Sequence, residues 1–284
     1  MPNIDRRGFV GAALALGTTP AVAAPGDPVV TTQQGRVRGL REGGLHVFRG
    51  VRYGQDTRSR RFRAPVAPEA WQGVVDAVRF GPSCPQRARQ DVTSEDCLFL
   101  NIWTPGLERQ AKRPVMLYIH GGAYANGSVV DALNDGRHLA AAGDVVVVTV
   151  NHRLNALGYL YLARLDPRFA DSGNVGQLDL ILALRWVRDN IAAFGGDPAN
   201  VTVFGQSGGG AKIATMMAMP AAKGVFHRAI TMSGQQVTAS GPINASRRTA
   251  AYLDHLGVQS DALEPLLTMP VERLIEGLGA TDPI

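Results

Sequence analysis

Lysine, cysteine and long apolar segments are all scarce in this chain of 284 residues, and these shortages limit the kinds of protein that it can be. Only three of its 29 basic residues are lysines, and the formal charge is +5. No stretch approaches the ~18 consecutive apolar residues of a membrane-spanning helix, so no membrane span is predicted. Internal repeats, low-complexity tracts and interdomain linkers are also lacking. The composition, 45% hydrophobic and 19% charged, is that of a globular protein with one large core, alone or with a small appendage.

The arginine excess does not predict a nucleic-acid surface. Its densest cluster consists of Arg58, Arg60, Arg61 and Arg63, and Phe62 is the only aromatic residue among them. The remaining arginines are scattered among 24 acidic residues. We interpret them as solvated surface charge and expect no nucleic-acid partner.

Residues 1–24 have the features of a twin-arginine export signal. Arg6 and Arg7 precede a weakly apolar run that ends in small residues. Pro20 interrupts that run, which suits a cleaved signal better than an anchor; a disordered basic tail is the alternative. We therefore expect a mature domain over residues 25–284 and a periplasmic or secreted protein.

Cys84 and Cys97 are the only cysteines. In an exported protein they can form a disulfide that closes a short loop and stabilises the fold by about 3 kcal/mol at most. A pair of buried free thiols is the alternative. No histidine or further cysteine lies at metal-ligand spacing, and nucleotide and flavin motifs are lacking. The sequence therefore predicts no metal and no cofactor.

The hydrophobic pattern predicts strands that alternate with helices. Continuous apolar runs occupy residues 115–119, 145–150 and 201–204, as in strands covered on both faces. A helical stripe, which consists of Leu180, Leu184, Val187, Ile191 and Phe194, lies between the second run and the third. Residues 29–32 and 35–40 are predicted to form a hairpin, and residues 45–51 and 98–103 further strands. We expect an α/β fold, doubly wound, with antiparallel strands before a mostly parallel sheet.

A candidate nucleophile follows the third apolar run. Ser207 stands in the segment Gly205-Gln206-Ser207-Gly208-Gly209, between a buried strand and a helix. A serine at such a sharp turn projects its hydroxyl from the edge of the sheet, and glycines are needed where larger side chains would collide. A structural glycine-rich turn is the alternative.

A second glycine motif follows the first apolar run, at His120-Gly121-Gly122-Ala123-Tyr124. Consecutive small residues allow backbone N–H groups to point into a cavity, and acyl transfer needs such donors for the oxyanion of its tetrahedral intermediate. The N–H groups of Gly122, Ala123 and Gly208 are therefore predicted to form an oxyanion hole. A plain Gly-Gly turn is the alternative.

The motifs together resemble those of the type-B carboxylesterases, serine esterases of the α/β-hydrolase superfamily. Residues 194–209 resemble the family's nucleophile signature and residues 95–103 its second signature. Residues 151–154, 173–176, 186–187 and 226–230 match further landmarks in order, and the resemblance extends from about residue 35 to about residue 256. It implies an α/β-hydrolase fold and hydrolysis of small-molecule carboxylic esters through an acyl-enzyme.

The resemblance also assigns roles to residues. It implies Ser207 as the nucleophile, Gly122, Ala123 and Gly208 as the oxyanion donors, and a disulfide between Cys84 and Cys97. Glu95 and Arg153 match positions that form buried ion pairs in the family, and we interpret these two residues as structural. Two positions depart from the family pattern: Gln206 replaces the usual Glu and removes a charge beside the serine, and Gly208 replaces the usual Ala.

The acid and the histidine of a catalytic triad are not recognisable in the sequence. A serine needs both, and in this fold they follow the nucleophile along the chain. Only His227 and His255 follow Ser207; His227 lies in a packing landmark, and the adjacent Asp254 cannot orient His255. We expect the chain to be truncated before its catalytic acid and histidine, and inactive as it stands. A non-catalytic binding protein on the same fold is the alternative. The resemblance also implies that cholinesterase-like relatives use an aromatic residue between the two cysteines to hold a quaternary ammonium group by cation–π attraction. That segment has no tryptophan here, so a cholinesterase is not expected.

Overall fold

The computed structural model describes residues 26–87, 91–234 and 239–284. The export signal predicted over residues 1–24 therefore lies outside the described residues. Within the described part of the chain, no helix is long and apolar enough to cross a bilayer.

Ten strands form two sheets in the described residues. In chain order they are β1 (Val29–Thr31), β2 (Arg36–Arg38), β3 (Leu40–Glu42), β4 (Leu45–Arg52), β5 (Val74–Asp76), β6 (Phe99–Thr104), β7 (Arg113–Ile119), β8 (Val146–Val150), β9 (Gly196–Gln206) and β10 (Arg228–Met232). The small sheet has the order β1-β2-β5, and the central sheet has the order β10-β9-β7-β8-β6-β4-β3.

The central sheet is mixed. Its strands β10, β9, β7 and β8 are parallel to one another, whereas β6 pairs antiparallel with β8 and β4, and β3 pairs antiparallel with β4. The expected α/β fold with antiparallel N-terminal strands is confirmed. Of the six strand pairings, the three in the parallel half (β10-β9-β7-β8) and the three in the antiparallel half (β8-β6-β4-β3) are equal in number, so the sheet is mixed rather than mostly parallel. The carboxyl ends of β7 and β9, which are neighbours in the parallel half, place the two glycine motifs at one edge of the sheet.

Seven α-helices accompany the strands in the described residues. They are α1 (Arg137–Gly143), α2 (Asn155–Tyr159), α3 (Val175–Asn190), α4 (Gly208–Ala218), α5 (Pro242–Leu256), α6 (Glu264–Thr268) and α7 (Val271–Glu276). The predicted helical stripe is confirmed in α3, and its last two residues continue into a short 3-10 turn over Ile191–Phe194.

The helices cover the two faces of the sheet unequally. Along β8, Val146, Val148 and Val150 face the large core that includes α3 and α4, whereas Val147 faces a smaller cluster with Ala140 of α1. Both sets are buried, so β8 is covered on both faces, as its continuous apolar sequence predicted.

The predicted hairpin needs one correction. The segment expected to form a single second strand over residues 35–40 is divided at Gly39 between β2 and β3, which belong to different sheets. A Cβ atom at Gly39 would lie 2.4 Å from the carbonyl oxygen of Val47, so the chain can change sheets there only because that position has no side chain.

Two buried ion pairs connect loop residues to segments that are distant in the sequence. Arg153, which follows β8, makes a bidentate pair with Asp179 of α3 (2.7 and 2.9 Å). Arg61 makes a bidentate pair with Glu95 (2.6 and 2.7 Å), and its guanidinium also donates to the carbonyl oxygen of Leu266. Glu95 and Arg153 thus both lie in buried ion pairs. Because Arg61 is buried, the predicted arginine cluster is not one continuous exposed patch.

We expect Asp179→Ala to lower the free energy of unfolding by about 3–5 kcal/mol, because it leaves the guanidinium of Arg153 buried without its partner. Asp189→Ala is the control, since Asp189 is an exposed residue of the same helix and, among the described residues, forms an ion pair with its neighbour Arg188. Urea unfolding of both variants would test this, and equal losses of stability would contradict it.

Candidate active site

Ser207 lies on a tight bend between β9 and α4. Its backbone has φ 52° and ψ −122°, a conformation that residues with a side chain rarely adopt. Its N–H donates to the carbonyl oxygen of Met232 in β10 (2.7 Å), and its own carbonyl accepts from the N–H of Ala211 (3.0 Å). These two bonds hold the bend from the sheet and from the helix. The residue is partly exposed, as a nucleophile requires.

The bend is possible only because glycines lie on either side of the serine. A Cβ atom at Gly209 would lie 2.0 Å from the carbonyl oxygen of Ile119 at the end of β7, and one at Gly205 would lie 2.8 Å from the same oxygen. The prediction that larger side chains would collide in this turn is therefore confirmed.

The second glycine motif forms a loop directly after β7. Gly122 has φ 93°, and its carbonyl accepts from the N–H groups of Ala125 (3.2 Å) and Asn126 (3.0 Å), so the chain turns back on itself. Ala123 also has a positive φ, 53°. Among the described residues, neither Gly122 nor Ala123 donates a hydrogen bond through its N–H. Gly208 begins α4, where an N–H has no partner within the helix.

The two motifs are in contact. A Cβ atom at Gly208 would lie 2.5 Å from the backbone nitrogen of Ala123, and one at Gly121 would lie 3.6 Å from the Cβ atom of Ser207. The structure therefore brings Ser207, Gly122, Ala123 and Gly208 to one place. Three backbone donors beside a serine on a bend can stabilise the oxyanion of an acyl-transfer reaction.

A buried lysine lies behind this loop, and the sequence analysis assigned it no role. Lys212 of α4 is completely buried, and its Nζ atom donates to the carbonyl oxygen of Ala123. The same atom lies 4.9 Å from the centre of the Tyr124 ring. Burial lowers the pKa of Lys212 to about 7. One signal was available: this residue is the single charged position in the apolar segment over residues 208–219.

Two histidines pack beneath the loop. His120 and His152 stack with ring centres 4.8 Å apart, and Nδ1 of His120 is hydrogen-bonded to the carbonyl oxygen of Gly121 (2.8 Å). Burial lowers the pKa of His152 well below its usual value, and the positive charge of Lys212 lowers it further. His120 supports the oxyanion loop, as its position in the motif indicated.

Neither of the two histidines that follow Ser207 in the sequence lies where it could act as the general base for Ser207. His227 precedes β10 and exchanges hydrogen bonds with the backbone of Val201, on the part of β9 away from the bend. His255 lies near the end of α5, exposed together with Asp254. Within the described residues we find no acid–histidine pair beside Ser207.

The two cysteines are buried neighbours. Each is at most 1% exposed, and a hydrogen bond with Cys84 is the main reason that the pKa of the Cys97 thiol lies well above its usual value. Both sulfur atoms are present as free thiols. Their proximity is compatible with either alternative from the sequence, the disulfide or the thiol pair.

Two adjoining cavities of about 570 and 590 Å³ open beside the oxyanion loop. Both are lined by Tyr124, Tyr159 and Tyr161 and by Arg248 of α5. Tyr124 and Tyr159 pack edge to face with ring centres 4.9 Å apart. The cavities thus share three tyrosines and the cationic group of Arg248, and Arg87 adds a second cationic group to the first of them, whereas Ser207 lines neither.

Comparison with known proteins agrees with this geometry. A family model described as the carboxylesterase family matches residues 26–275. The chain is 44% identical to the para-nitrobenzyl esterase of Bacillus subtilis over 260 residues, and 40% identical to the phenmedipham hydrolase of Pseudarthrobacter oxydans over 265 residues. The structure of a carboxylesterase from Geobacillus stearothermophilus, EST55, is similar with a TM-score of 0.85 and 42% identity. This chain therefore belongs to the carboxylesterase family, within the α/β-hydrolase fold.

The match covers most of this chain but only part of each relative. It includes 87% of this chain and 52% of the Bacillus esterase, 88% and 51% for the Pseudarthrobacter hydrolase, and 88% and 53% for the Geobacillus structure. The chain thus spans about half the length of the relatives it matches.

We expect the buried amine of Lys212 to make stability depend on pH. Folding lowers its pKa from 10.5 to about 7, so the unfolded chain binds more protons than the folded chain between those values. The free energy of unfolding therefore rises with pH across that range, by about 5 kcal/mol for this group alone. Chemical denaturation at pH 6 to 10 would measure the rise.

Lys212→Met provides the comparison for this measurement. It should reduce the rise and stabilise the protein at pH 6, because no charge is then buried. Lys223→Met, at an exposed lysine, should leave the pH dependence unchanged. An identical slope in the Lys212 variant would show that this amine does not titrate in the range.

Proposed function

We propose that the protein to which this chain belongs is a carboxylic ester hydrolase with Ser207 as its nucleophile. One observation carries the proposal: a partly exposed serine on a strained bend touches a loop in which the N–H groups of Gly122 and Ala123 have no partner among the described residues. Family membership supports the same chemistry. The substrates proposed are small-molecule carboxylic esters, and no cofactor is invoked.

The reaction follows from the arrangement of these groups. The hydroxyl oxygen of Ser207 attacks the ester carbonyl and its proton passes to a base, while the N–H groups of Gly122, Ala123 and Gly208 hold the oxyanion. The intermediate collapses to an acyl-enzyme, and the alcohol leaves with that proton. Water then attacks the acyl carbon, and the carboxylic acid and the free serine are formed.

We place the base outside the described residues. No acid–histidine pair lies beside Ser207 in them, and the chain spans about half the length of its relatives. We therefore propose that the full-length protein supplies a histidine and its orienting carboxylate from a segment that corresponds to the part of its relatives not spanned by this chain. Under this proposal, the 284-residue chain alone lacks the proton transfer that activates the serine.

In the full-length protein, Ser207→Ala should lower kcat/KM for a p-nitrophenyl ester at least ~1,000-fold and abolish labelling by a serine-reactive phosphonate. Ser59→Ala is the control, because Ser59 is exposed and lies outside the site. The 284-residue chain alone should show no Ser207-dependent hydrolysis, and acetylthiocholine should not be a preferred substrate.

Three results would count against parts of this proposal. Hydrolysis that survives Ser207→Ala would exclude the assigned nucleophile. A full-length protein that neither hydrolyses esters nor reacts with phosphonate would favour a non-catalytic binding protein. Ser207-dependent hydrolysis by the 284-residue chain would show that it already contains a base.

We further propose that the protein is exported by its twin-arginine signal and that Cys84 and Cys97 form a disulfide after export. The contact between the two thiols supports the pairing. Because both are buried, oxidation of the folded protein requires a local opening of the loop between them. The disulfide would stabilise the fold by about 3 kcal/mol at most.

Alkylation followed by mass measurement would test both steps together. Protein from the periplasmic fraction should lack residues 1–24 and resist alkylation after unfolding until it is reduced. A variant with Arg6→Lys and Arg7→Lys should stay in the cytoplasm and take up two alkyl groups. Two free thiols in the exported protein would exclude the disulfide.

A further inference from the structure

In the described residues, the buried ammonium group of Lys212 makes one hydrogen bond, and that bond leads to the oxyanion loop. Its acceptor is the carbonyl oxygen of Ala123. The face of the Tyr124 ring lies on the same group. None of the ion pairs in the described part of the chain includes Lys212. The loop is therefore the polar partner of this buried cation.

Such a cation is costly to keep. A buried charge without a counterion loses its hydration, and one carbonyl and one ring replace only part of it. A methionine has nearly the same shape and would remove the cost. A strongly perturbed group beside a candidate nucleophile is typical of a functional site. A role that only a donor or a charge can fill would explain why a lysine stands at this position.

The position of Gly208 is linked to that of Lys212. Ala123 has a positive φ, and its carbonyl oxygen lies where a Cβ atom at Gly208 would be, at 2.3 Å. The peptide group can therefore turn toward Lys212 only if residue 208 lacks a side chain. One residue removes the obstacle and the other supplies the bond that holds the strained loop.

We propose that Lys212 is a positioning residue of the oxyanion hole, which holds the loop of Gly121, Gly122 and Ala123 against Ser207 through the carbonyl of Ala123. This inference rests on the proposed esterase function. The bond fixes the direction of the peptide groups whose N–H donors meet the oxyanion. The positive charge adds a favourable potential where negative charge develops.

The surroundings of Lys212 make this contribution depend on pH. From the sheet, the titratable group next to Lys212 is His152, which follows β8, and His120 at the end of β7 stacks on His152; from the loop, Tyr124 faces Lys212. From α3, the side chain of Gln177 donates to the backbone carbonyl of Lys212. Burial lowers the pKa of Lys212 to about 7, so its charge is present below neutral pH and lost above it. The neutral amine can still donate a hydrogen bond.

The kinetic test compares the full-length protein with Lys212→Met and with the exposed control Lys223→Met. We expect Lys212→Met to lower kcat about 10- to 100-fold with little change in KM, less than the loss of a direct oxyanion donor. The ratio of kcat/KM between the unaltered protein and Lys212→Met should fall as pH rises through about 7. Lys223→Met should match the unaltered protein at every pH.

A second measurement does not depend on ester hydrolysis. Amide hydrogen exchange of the peptides that contain residues 120–127 should become faster in Lys212→Met, because the loop loses the bond at Ala123, and should not change in Lys223→Met. This result distinguishes the two proposals: faster exchange in a protein without esterase activity would leave the positioning role intact and reject the proposed function.

Gly208→Ala tests the link between the two residues. If both act through the carbonyl of Ala123, the losses in kcat of Gly208→Ala and Lys212→Met should not be additive, and the double variant should be little worse than the poorer single variant. The proposal would be overturned if Lys212→Met changed stability alone, with kcat, the pH profile and loop exchange all unaltered. Fully additive losses would reject the link to Gly208.

Discussion

The close approach of two backbone segments governs this site. The bend at Ser207 and the loop after β7 come within contact distance of each other, and side chains at Gly205, Gly208 or Gly209 would prevent it. The bend is strained, and the hydrogen bond from Ser207 to Met232 ties it to the neighbouring strand β10. The parallel half of the sheet therefore acts as a frame that fixes the serine before any substrate arrives.

Buried charge is used in two different ways around that frame. Arg153 and Asp179 neutralise each other with bidentate geometry and join the end of β8 to α3. Lys212 has no such partner, and a backbone carbonyl and an aromatic ring take its place. The first arrangement is typical of a structural joint. The second places an amine with a pKa of about 7 in the site, where gain or loss of its proton changes the local electrostatic potential.

Much of this could be predicted from the sequence because the signals were local. Continuous apolar runs located the buried strands, a helical stripe located α3, and glycine patterns located the bend and the loop. The division of residues 35–40 between two sheets was missed, because it depends on the distant carbonyl of Val47. The edge strand β10 was missed as well, because its residues alternate between exposed and half-buried positions without a continuous apolar run.

Lys212 could not have been assigned a role from the sequence alone. A lysine in an apolar helix is visible, but its acceptor lies 89 positions earlier, in a loop that only the sheet order brings near. The same holds for the pairing of Arg61 with Glu95 and with the carbonyl of Leu266. Contacts between distant segments depend on topology, and a single sequence does not contain that information.

Among the described residues, the strand that anchors the serine is the terminal strand of the central sheet. In the described residues β10 pairs only with β9, and Ile230 and Met232 are 45% and 39% exposed. A terminal strand with exposed apolar side chains is a place where a strand from another molecule can pair. If two copies of the 284-residue chain paired along β10, the strand would shift, and the carbonyl oxygen of Met232 that accepts from Ser207 would shift with it. Association at this strand would therefore distort the bend that holds the nucleophile.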